Sequence, residues 1–368
     1  MNNKSNTSVS IIKIAGILLI AGLLLWYFSD IVGYVLIATF IGYLGIPLVK
    51  RLDRIKTAKH KLPHALNVIV TLLLMVTIFM GFIVLVVPLI LKQADIIASI
   101  NMEAVFSHFQ ETLTKARQFL VQYNIANSNA TLSSLLYSQL SQIIDLAKFT
   151  NIFSVMIGTT GSFLMGVFII LFLTFYTMLE PYLLKNFILN LTPAKYEQEL
   201  SNILSDSRRL LTRYAYGVFT EVAIMMTLEV VGLTIFGIPN ALLIGFLGGL
   251  MNIIPYLGPL IGATAGIVLA VLSQLGMGYY DSITSTVLVV LLVFAIANMI
   301  DNFVLQPQIY SKSIKAHPVE VFLVIIIGGK LAGITGMILA IPTYTVIRVI
   351  ARQFMNRMRV VKFLTQRM

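Results

Sequence analysis

Long apolar runs recur along this chain, and they constrain its possible folds more than any other feature. Each run is long enough to cross the roughly 30 Å hydrocarbon layer of a membrane as a helix. Hydrophobic residues make up 58% of the sequence and charged residues only 11%. A chain in hydrocarbon must satisfy its own backbone polar groups, and helices of this length do so. We therefore predict a polytopic all-α membrane protein rather than a soluble enzyme.

The apolar runs predict about six full spans and two broken, re-entrant hairpins, or about eight membrane elements in total. The predicted full spans are Ile11–Phe28, Ile31–Val49, Pro63–Leu91, Ile152–Leu179, Tyr214–Phe236 and Ser282–Gln306. The two hairpins are predicted within Ala241–Ser273 and Val319–Ile350.

Basic residues lie at the ends of the apolar runs, as they do in the cytoplasmic loops of membrane proteins. The segment Lys50–Lys61 and the tail from Arg348 are rich in Lys and Arg, whereas the loop Gln274–Ser282 has neither. This pattern places both chain termini in the cytoplasm and Gln274–Ser282 outside. It also accounts for the net charge of +11 without a nucleic-acid partner.

The first predicted hairpin is marked by two prolines in an apolar stretch. Pro255 and Pro259 flank Gly258, and Asn252 comes just before them. A proline inside a helix removes a backbone donor and clashes with the preceding turn. In a membrane, freed backbone groups are tolerated where they are buried in protein or line a wet cavity. The break therefore indicates a pathway or binding site, and the alternative is a plain kink or short loop.

The topology favours a hairpin, because the segment Ala241–Ser273 begins and ends on the predicted outer side. A break at Asn252–Pro259 leaves arms of about 20 Å each, too short to cross alone.

The second predicted hairpin begins and ends on the inner side and breaks at Gly328-Gly329-Lys330. Pro318 precedes its glycine pair much as Pro239 precedes Gly248-Gly249. A span followed by a broken hairpin thus occurs twice with opposite orientation, which indicates an inverted repeat of the kind found in transporters.

The segment 92–150 differs from the rest of the chain because it is polar, with apolar residues every three or four positions. This spacing is typical of amphipathic helices. We predict two or more helices outside, which either cover the transmembrane part or form a packed hairpin with no role in transport.

Ionisable residues inside the spans are the best candidates for chemistry, because each is costly in lipid. Glu221 and Glu229 lie in the fifth predicted span, with Arg213 at its inner end. They could handle protons or cations, or could pair with Arg213 or Lys330 to fix helix packing. The next span carries a polar stripe at helical spacing, which is Asn298, Asp301, Asn302 and Gln306. Lys330 is either a charge in mid-membrane or a lysine that reaches the membrane surface.

No nucleotide-binding, zinc-protease or serine-hydrolase motif is present in the sequence. The chain has four histidines and no cysteine, so we predict no metal site, no cofactor and no enzymatic activity.

The chain resembles the autoinducer-2 exporter (AI-2E) family, also described as PerM-like permeases. The resemblance rests on LLIGFLGGLMNIIPYLGPLIGA (Leu242–Ala263), on Asn298–Pro342 and on the pair Arg213-Tyr214. The positions that match the family motifs are Asn252, Pro255, Gly258, Pro259, Asp301, Asn302, Pro307, His317, Pro318, Gly329, Gly333, Gly336 and Pro342. The chain departs from the family where Val218 follows Gly217, and neither Glu221 nor Glu229 belongs to the family pattern.

The resemblance implies a homo-oligomeric transporter of the bacterial inner membrane. From the two broken hairpins we predict that it works by alternating access around them. It implies export of a small polar solute such as autoinducer-2; the alternatives are sodium(lithium)/proton antiport through intramembrane carboxylates and a non-transporting scaffold or channel-like oligomer. The expected pathway residues are Asn252, Pro255, Gly258, Pro259, Asn298, Asp301, Asn302, Gly328, Gly329 and Lys330. The expected ion-coupling residues are Glu221, Glu229, Asp301 and Arg213.

The predicted organisation has four parts. N-terminal spans occupy 1–91 and the extramembrane helical region 92–150. The fourth span with cytoplasmic amphipathic helices occupies 151–213, and the transport core 214–368.

Overall fold

The computed structural model describes residues 27–54, 62–101, 103–105, 107–110, 114–115, 118, 160–310 and 317–354. Every regular element in these ranges is helical. The main helices are α1 (Ser29–Arg54), α2 (His64–Ala98), α3 (Thr160–Leu179), α4 (Leu183–Asn190), α5 (Glu197–Ile235), α6 (Ala241–Met251), α7 (Leu257–Met277), α8 (Ile283–Ile300), α9 (Gln306–Tyr310) and α10 (Pro318–Phe354). The first predicted span lies almost wholly outside the described residues.

Among the described residues, 6 helical segments are long and apolar enough to cross a membrane. They are Ile31–Arg54, His64–Ala98, Ala194–Ile235, Leu257–Met277, Tyr280–Gln308 and Pro318–Gln353. The predicted class, a polytopic all-α membrane protein, is confirmed.

The chain divides into two compact units. The first comprises Met1–Met75 and Gly161–Ala215. Its core is formed where α1, α2 and α3 meet, around Ile46, Val68 and Met178. Gly42 of α1 lies against the side chain of Thr177 in α3. A larger residue at position 42 would keep α1 from approaching α3 as closely.

The second unit comprises Val76–Thr160 and Tyr216–Met368 and carries most of the predicted site residues. Its main core is formed by α5, α6, α7 and α8, around Leu233, Ile244, Ala270, Val290 and Phe294. The four-part division predicted from the sequence stays a prediction.

One helix replaces two predicted elements before the fifth span. The sequence predicts amphipathic helices over Tyr182–Thr212 and a separate span from Tyr214. In the structure α5 runs without a break for 39 residues, because no proline or glycine interrupts Glu197–Thr212. The separation between the amphipathic part and the span is therefore wrong, although the span itself is present.

Hairpin 1, which we define as residues 240–277, contains the predicted break, but the non-helical segment is shorter than the predicted Asn252–Pro259. The chain leaves α6 at Asn252 and re-enters a helix at Leu257, with Tyr256 at φ 66°. Pro259 lies in the first turn of α7, where its missing N–H has no helical partner to lose. The predicted equal arms are wrong: α6 has 11 residues, whereas α7 has 21 and is long enough to cross.

Hairpin 2, which we define as residues 318–354, is α10 folded back on itself. Ala332 and Gly333 leave helical geometry, and Gly333 has φ 58° and ψ −141°, a conformation that glycine adopts readily. The Tyr344 hydroxyl donates a hydrogen bond of 2.6 Å to the Glu320 carboxylate across 24 residues. A straight helix would separate these two residues by about 36 Å, so the two arms must be antiparallel.

The break in hairpin 2 lies three residues beyond the glycine pair where the sequence places it. Gly328 and Gly329 are inside the first arm, and they let the second arm approach. A methyl group on Gly328 would lie 2.5 Å from the carbonyl oxygen of Gly336. In hairpin 1, a methyl group on Gly262 would lie 3.0 Å from Gly248 in the same way. The inverted repeat stays a prediction.

The hydrogen bond between Tyr344 and Glu320 leads to a stability prediction. Because a bond to a charged group contributes about 1.5–3 kcal/mol, Tyr344→Phe is expected to lower the melting temperature of the detergent-solubilised protein by several degrees. The matched control is Tyr279→Phe, since Tyr279 is an exposed tyrosine. Equal melting temperatures for the two variants would show that the bond does not hold the arms together.

Part of the region predicted to be extramembrane packs on the transmembrane part of the second unit. Val105 is buried with Ile97 against Leu272 and Leu275 of α7, and Phe109 packs at the edge of this cluster. These contacts pack part of this region against one end of hairpin 1, and its two predicted roles stay predictions. Residues 119–150 lie outside the described part of the chain.

Candidate functional site

The candidate site is built on the inward face of α5. Glu221 and Glu229 have only 1% and 2% of their surface exposed, and Met225 between them is buried on the same face. Two carboxyls inside a membrane-spanning helix are costly unless they have partners, a proton or a cation. Their burial makes them candidates for a functional site rather than residues of a solvated surface.

The helix α6 approaches α5 closely because its contact face is glycine. A methyl group on Gly245 would lie 2.8 Å from Val230 Cα, and one on Gly249 would lie 2.6 Å from Met226 Cα. Between these contacts, a methyl group on Gly248 would overlap the Glu229 carboxyl oxygen Oε2. The glycine face therefore gives the Glu229 side chain its place against α6, and a larger residue at 248 would displace it.

Hairpin 1 brings Asn252 to the end of α8. Asn252 is 3% exposed and Asp301 is fully buried. The Asn252 side-chain amide donates a hydrogen bond of 3.4 Å to Asp301 Oδ2, and Gln306 donates one of 2.7 Å to the same oxygen. Two amides thus hold one oxygen of the Asp301 carboxylate from two different elements.

A π-helical turn, Asp301–Leu305, separates α8 from α9 and begins at the site aspartate. A π turn holds an extra residue and often occurs at functional sites. It changes which members of the predicted polar stripe share a face. Asp301 faces the interior and Gln306 reaches it, whereas Asn302 is exposed and bonds to Asn298 at 3.2 Å.

Two buried carboxylate oxygens define what this site can do. Glu229 Oε2 and Asp301 Oδ1 accept no hydrogen bond from the part of the chain that the structure describes. Hairpin 1 links the two carboxyls, because Glu229 Oε2 lies against Gly248 and Asn252, four residues later, donates to Asp301. Leaving a buried charge without a partner costs about 3–5 kcal/mol, so a proton or a cation at these oxygens would be strongly stabilised.

The remaining predicted site residues lie apart from this cluster. Arg213 is exposed and lies eight residues before Glu221 on α5, about 12 Å along the helix axis. Lys330 is exposed beside the break in hairpin 2, next to Leu331 with 80% exposure. The structure thus brings together Glu229, Asn252 and Asp301, and the roles of all predicted site residues stay predictions.

A second buried polar cluster was not predicted from the sequence. Gln93 of α2, Asn240 before α6 and Ser273 of α7 hydrogen-bond to one another at the other end of hairpin 1. Gln93 and Asn240 are 147 residues apart, and in the sequence each looks like an ordinary polar residue at the end of a span. No local pattern links them, because the hairpin fold creates the contact.

Comparison with protein families identifies the chain. The model of the AI-2E family transporter matches residues 15–356, nearly the whole sequence. The chain belongs to the AI-2E transporter family. It is therefore a multi-pass membrane protein of a transporter family.

Relatives in the AI-2E family are named as candidate transport proteins. YueF of Bacillus subtilis (strain 168) is 26% identical over 331 residues, which cover 89% of this chain and 84% of YueF. YrrI of the same organism is 35% identical over 188 residues, or 51% of this chain and 50% of YrrI. The Synechocystis protein sll0060 is 25% identical over 337 residues, covering 89% of this chain and 90% of sll0060. Each of these three names states transport and gives no substrate.

Proposed function

We propose that this protein is a secondary transporter that exchanges protons for sodium or lithium, with Glu229 and Asp301 as the coupling carboxyls. The observation that carries the proposal is the pair of buried carboxylate oxygens, one on each residue, that accept no hydrogen bond from the described residues. Antiport needs a site that a proton and a metal cation occupy in turn. Carboxyls do both, because they bind a proton covalently and hard cations through oxygen.

The surroundings of Asp301 suit such an exchange. Asn252 and Gln306 keep one carboxylate oxygen in place, so the other oxygen is presented in a fixed direction. Asn252 lies at the break of hairpin 1, where its position depends on the hairpin. A movement of the hairpin would therefore change the partners of Asp301, which is how ion binding would drive a conformational change.

Export of a small polar solute such as autoinducer-2 is the second candidate, and the family description favours it. The side-chain amides of the buried Asn252 and the half-buried Gln306 could hydrogen-bond a hydroxylated solute. Under this alternative the carboxyls supply proton coupling or bind the solute directly. Glu221 is the further ion-coupling candidate, because it is buried on the same face of α5.

The setting that we propose is the bacterial inner membrane, with both termini cytoplasmic and several copies of the chain in a homo-oligomer. The proposed partners are the lipid bilayer, protons, sodium or a small solute, with no nucleic acid. The basic segments that follow the apolar runs support this orientation.

The test is proton flux in liposomes. The purified protein is reconstituted with a trapped pH indicator, and a sodium pulse is applied outside. Antiport moves the two cations in opposite directions, so sodium that enters from the outside drives protons out and we expect the internal pH to rise. When sodium is loaded inside and absent outside, we expect the internal pH to fall. Potassium at the same concentration is the control for ionic strength.

No sodium-dependent pH change from folded protein would contradict antiport. The same liposomes would then be loaded with labelled autoinducer-2, and its protein-dependent loss would support the second candidate. Failure of both would favour a scaffold or channel-like oligomer.

A further inference from the structure

The cluster of Gln93, Asn240 and Ser273, which we call the clasp, joins α2 to both arms of hairpin 1. The Asn240 amide donates to Gln93 Oε1 at 2.5 Å and to the Ser273 hydroxyl at 3.2 Å. The Ser273 hydroxyl lies 3.0 Å from Gln93 Oε1. Gln93 is 3% exposed, Ser273 is fully buried and Asn240 is half-buried, so the Ser273 hydroxyl at the centre of the clasp is closed to solvent in this conformation.

The proton of the Ser273 hydroxyl has two alternative acceptors. Besides Gln93 Oε1, the hydroxyl lies 2.9 Å from the carbonyl oxygen of Leu269, one turn earlier in α7. A hydroxyl has one proton and can donate to only one of them at a time. If α2 moved away, the proton could turn to Leu269 and Ser273 would keep a hydrogen bond.

The hydrogen bonds of the clasp also show that α2 can separate from hairpin 1 without breaking the hairpin itself. The bond between Asn240 and Ser273 lies within hairpin 1 and survives a movement of α2. Gln93 loses its partners, including the bond that its amide donates to the Leu269 carbonyl at 3.3 Å. One Asn240 N–H is also released. These groups stay satisfied only if water enters the plane between α2 and hairpin 1.

The rest of this plane is apolar near the clasp. Val86 of α2 is buried against Leu243 and Phe246 of α6, and the rings of Phe82 and Phe246 are 4.4 Å apart. Apolar contacts have no direction and re-form after sliding, whereas the clasp has one closed arrangement. The polar bonds therefore determine whether this end is open or closed.

We propose that the clasp acts as a gate. Gln93 holds α2 against hairpin 1 at the end remote from Asn252, and when the bonds of Gln93 break, water enters the transport path. Gln93 acts by positioning the two elements and does not contact the transported ion at Asp301. The proposal requires that the protein transports a solute, and it does not depend on which solute that is.

Cross-linking tests the gate directly, because the chain has no native cysteine. The double variant Gln93→Cys/Ser273→Cys is bridged with mercuric ion, which binds two thiols, and the bridge is removed with excess dithiothreitol. We expect the bridge to stop sodium-dependent proton flux and the reducing agent to restore it. The matched control is Gln274→Cys/Thr286→Cys, another buried pair with a glutamine-to-hydroxyl bond, of 2.9 Å, that links α7 to α8. Its bridge is expected to leave flux unchanged.

A labelling experiment gives a result even if sodium is not the substrate. In sealed vesicles, Ser273→Cys is treated with a membrane-impermeant thiol reagent, with and without Gln93→Ala in the same chain. Loss of the clasp is expected to raise the labelling rate about tenfold, which corresponds to a population shift of about 1.4 kcal/mol. Gln274→Ala in place of Gln93→Ala is expected to leave the rate unchanged.

The outcomes separate this proposal from the proposed function. Full transport by the bridged Gln93→Cys/Ser273→Cys protein would overturn the gate, because α2 and the hairpin would then not need to part. Equal labelling with and without Gln93→Ala would overturn it as well. Faster labelling in a protein that exchanges no sodium would support the gate and would reject antiport alone.

Discussion

Replacing Asp301 with Asn is expected to reduce sodium-dependent proton exchange to the rate of protein-free liposomes. The substitution keeps the size of the side chain and an oxygen that can accept from Asn252 or Gln306, but it removes the charge. An amide neither binds a proton reversibly near neutral pH nor attracts a cation strongly. The measurement is the internal pH change after a sodium pulse, at equal amounts of reconstituted protein.

The control is Asp206→Asn, since Asp206 is an exposed aspartate that hydrogen-bonds to Arg209 at 3.1 Å. This variant is expected to exchange at the parent rate. Asp301→Asn is also expected to melt no lower than the parent protein, because removing a buried charge lowers a desolvation cost. Full exchange by a folded Asp301→Asn protein would exclude this carboxyl from coupling and leave Glu229→Gln as the next variant to test.

Replacing Gly249 with Ala is expected to destabilise the second unit and impair transport together. The added methyl group would lie 2.6 Å from Met226 Cα, a backbone atom that cannot rotate away. The helices α5 and α6 must then move apart, at a cost of about 1–3 kcal/mol. Because α5 carries Glu229 and α6 leads to Asn252, the distance between these two side chains would also change. Thermal unfolding in detergent and sodium-dependent proton flux are the two measurements.

The matched control for this change is Gly81→Ala in α2. A methyl group on Gly81 would have no atom within 4 Å among the described residues. Because alanine is favoured over glycine in a helix by about 1 kcal/mol, this variant is expected to melt at or above the parent temperature. Equal behaviour of the two alanine variants would show that close contact between α5 and α6 is not needed.

The sequence predicts the membrane-spanning helices because long apolar runs have few other stable structures. It also predicts a break near Pro255, since proline removes a backbone donor wherever it occurs. The positions of Glu221 and Glu229 inside a span follow from the same runs. These predictions depend on the local composition of the chain, whereas the residues that each side chain contacts are known only from the structure.

The sequence does not predict features that depend on contacts between distant segments. The π turn at Asp301 has no marker in the helical spacing, so the sequence groups Asn302 with Asp301 in one polar stripe although Asn302 is exposed. The break in hairpin 2 occurs at Ala332 rather than at Gly328, because Gly328 is needed where the arms touch. A glycine needed for a turn and one needed for close packing look the same in a sequence.

The break in hairpin 2 also constrains how the chain is inserted during synthesis. The arm from Pro318 to Ala332 is about 21 Å long as a helix, which is less than the hydrocarbon thickness. The insertion machinery therefore cannot release this arm into lipid as a finished segment. It must retain the arm until the second one has been translated and both can enter as a pair. The point of commitment for this part of the protein is thus the end of the second arm near Phe354, rather than the end of the first arm at Ala332.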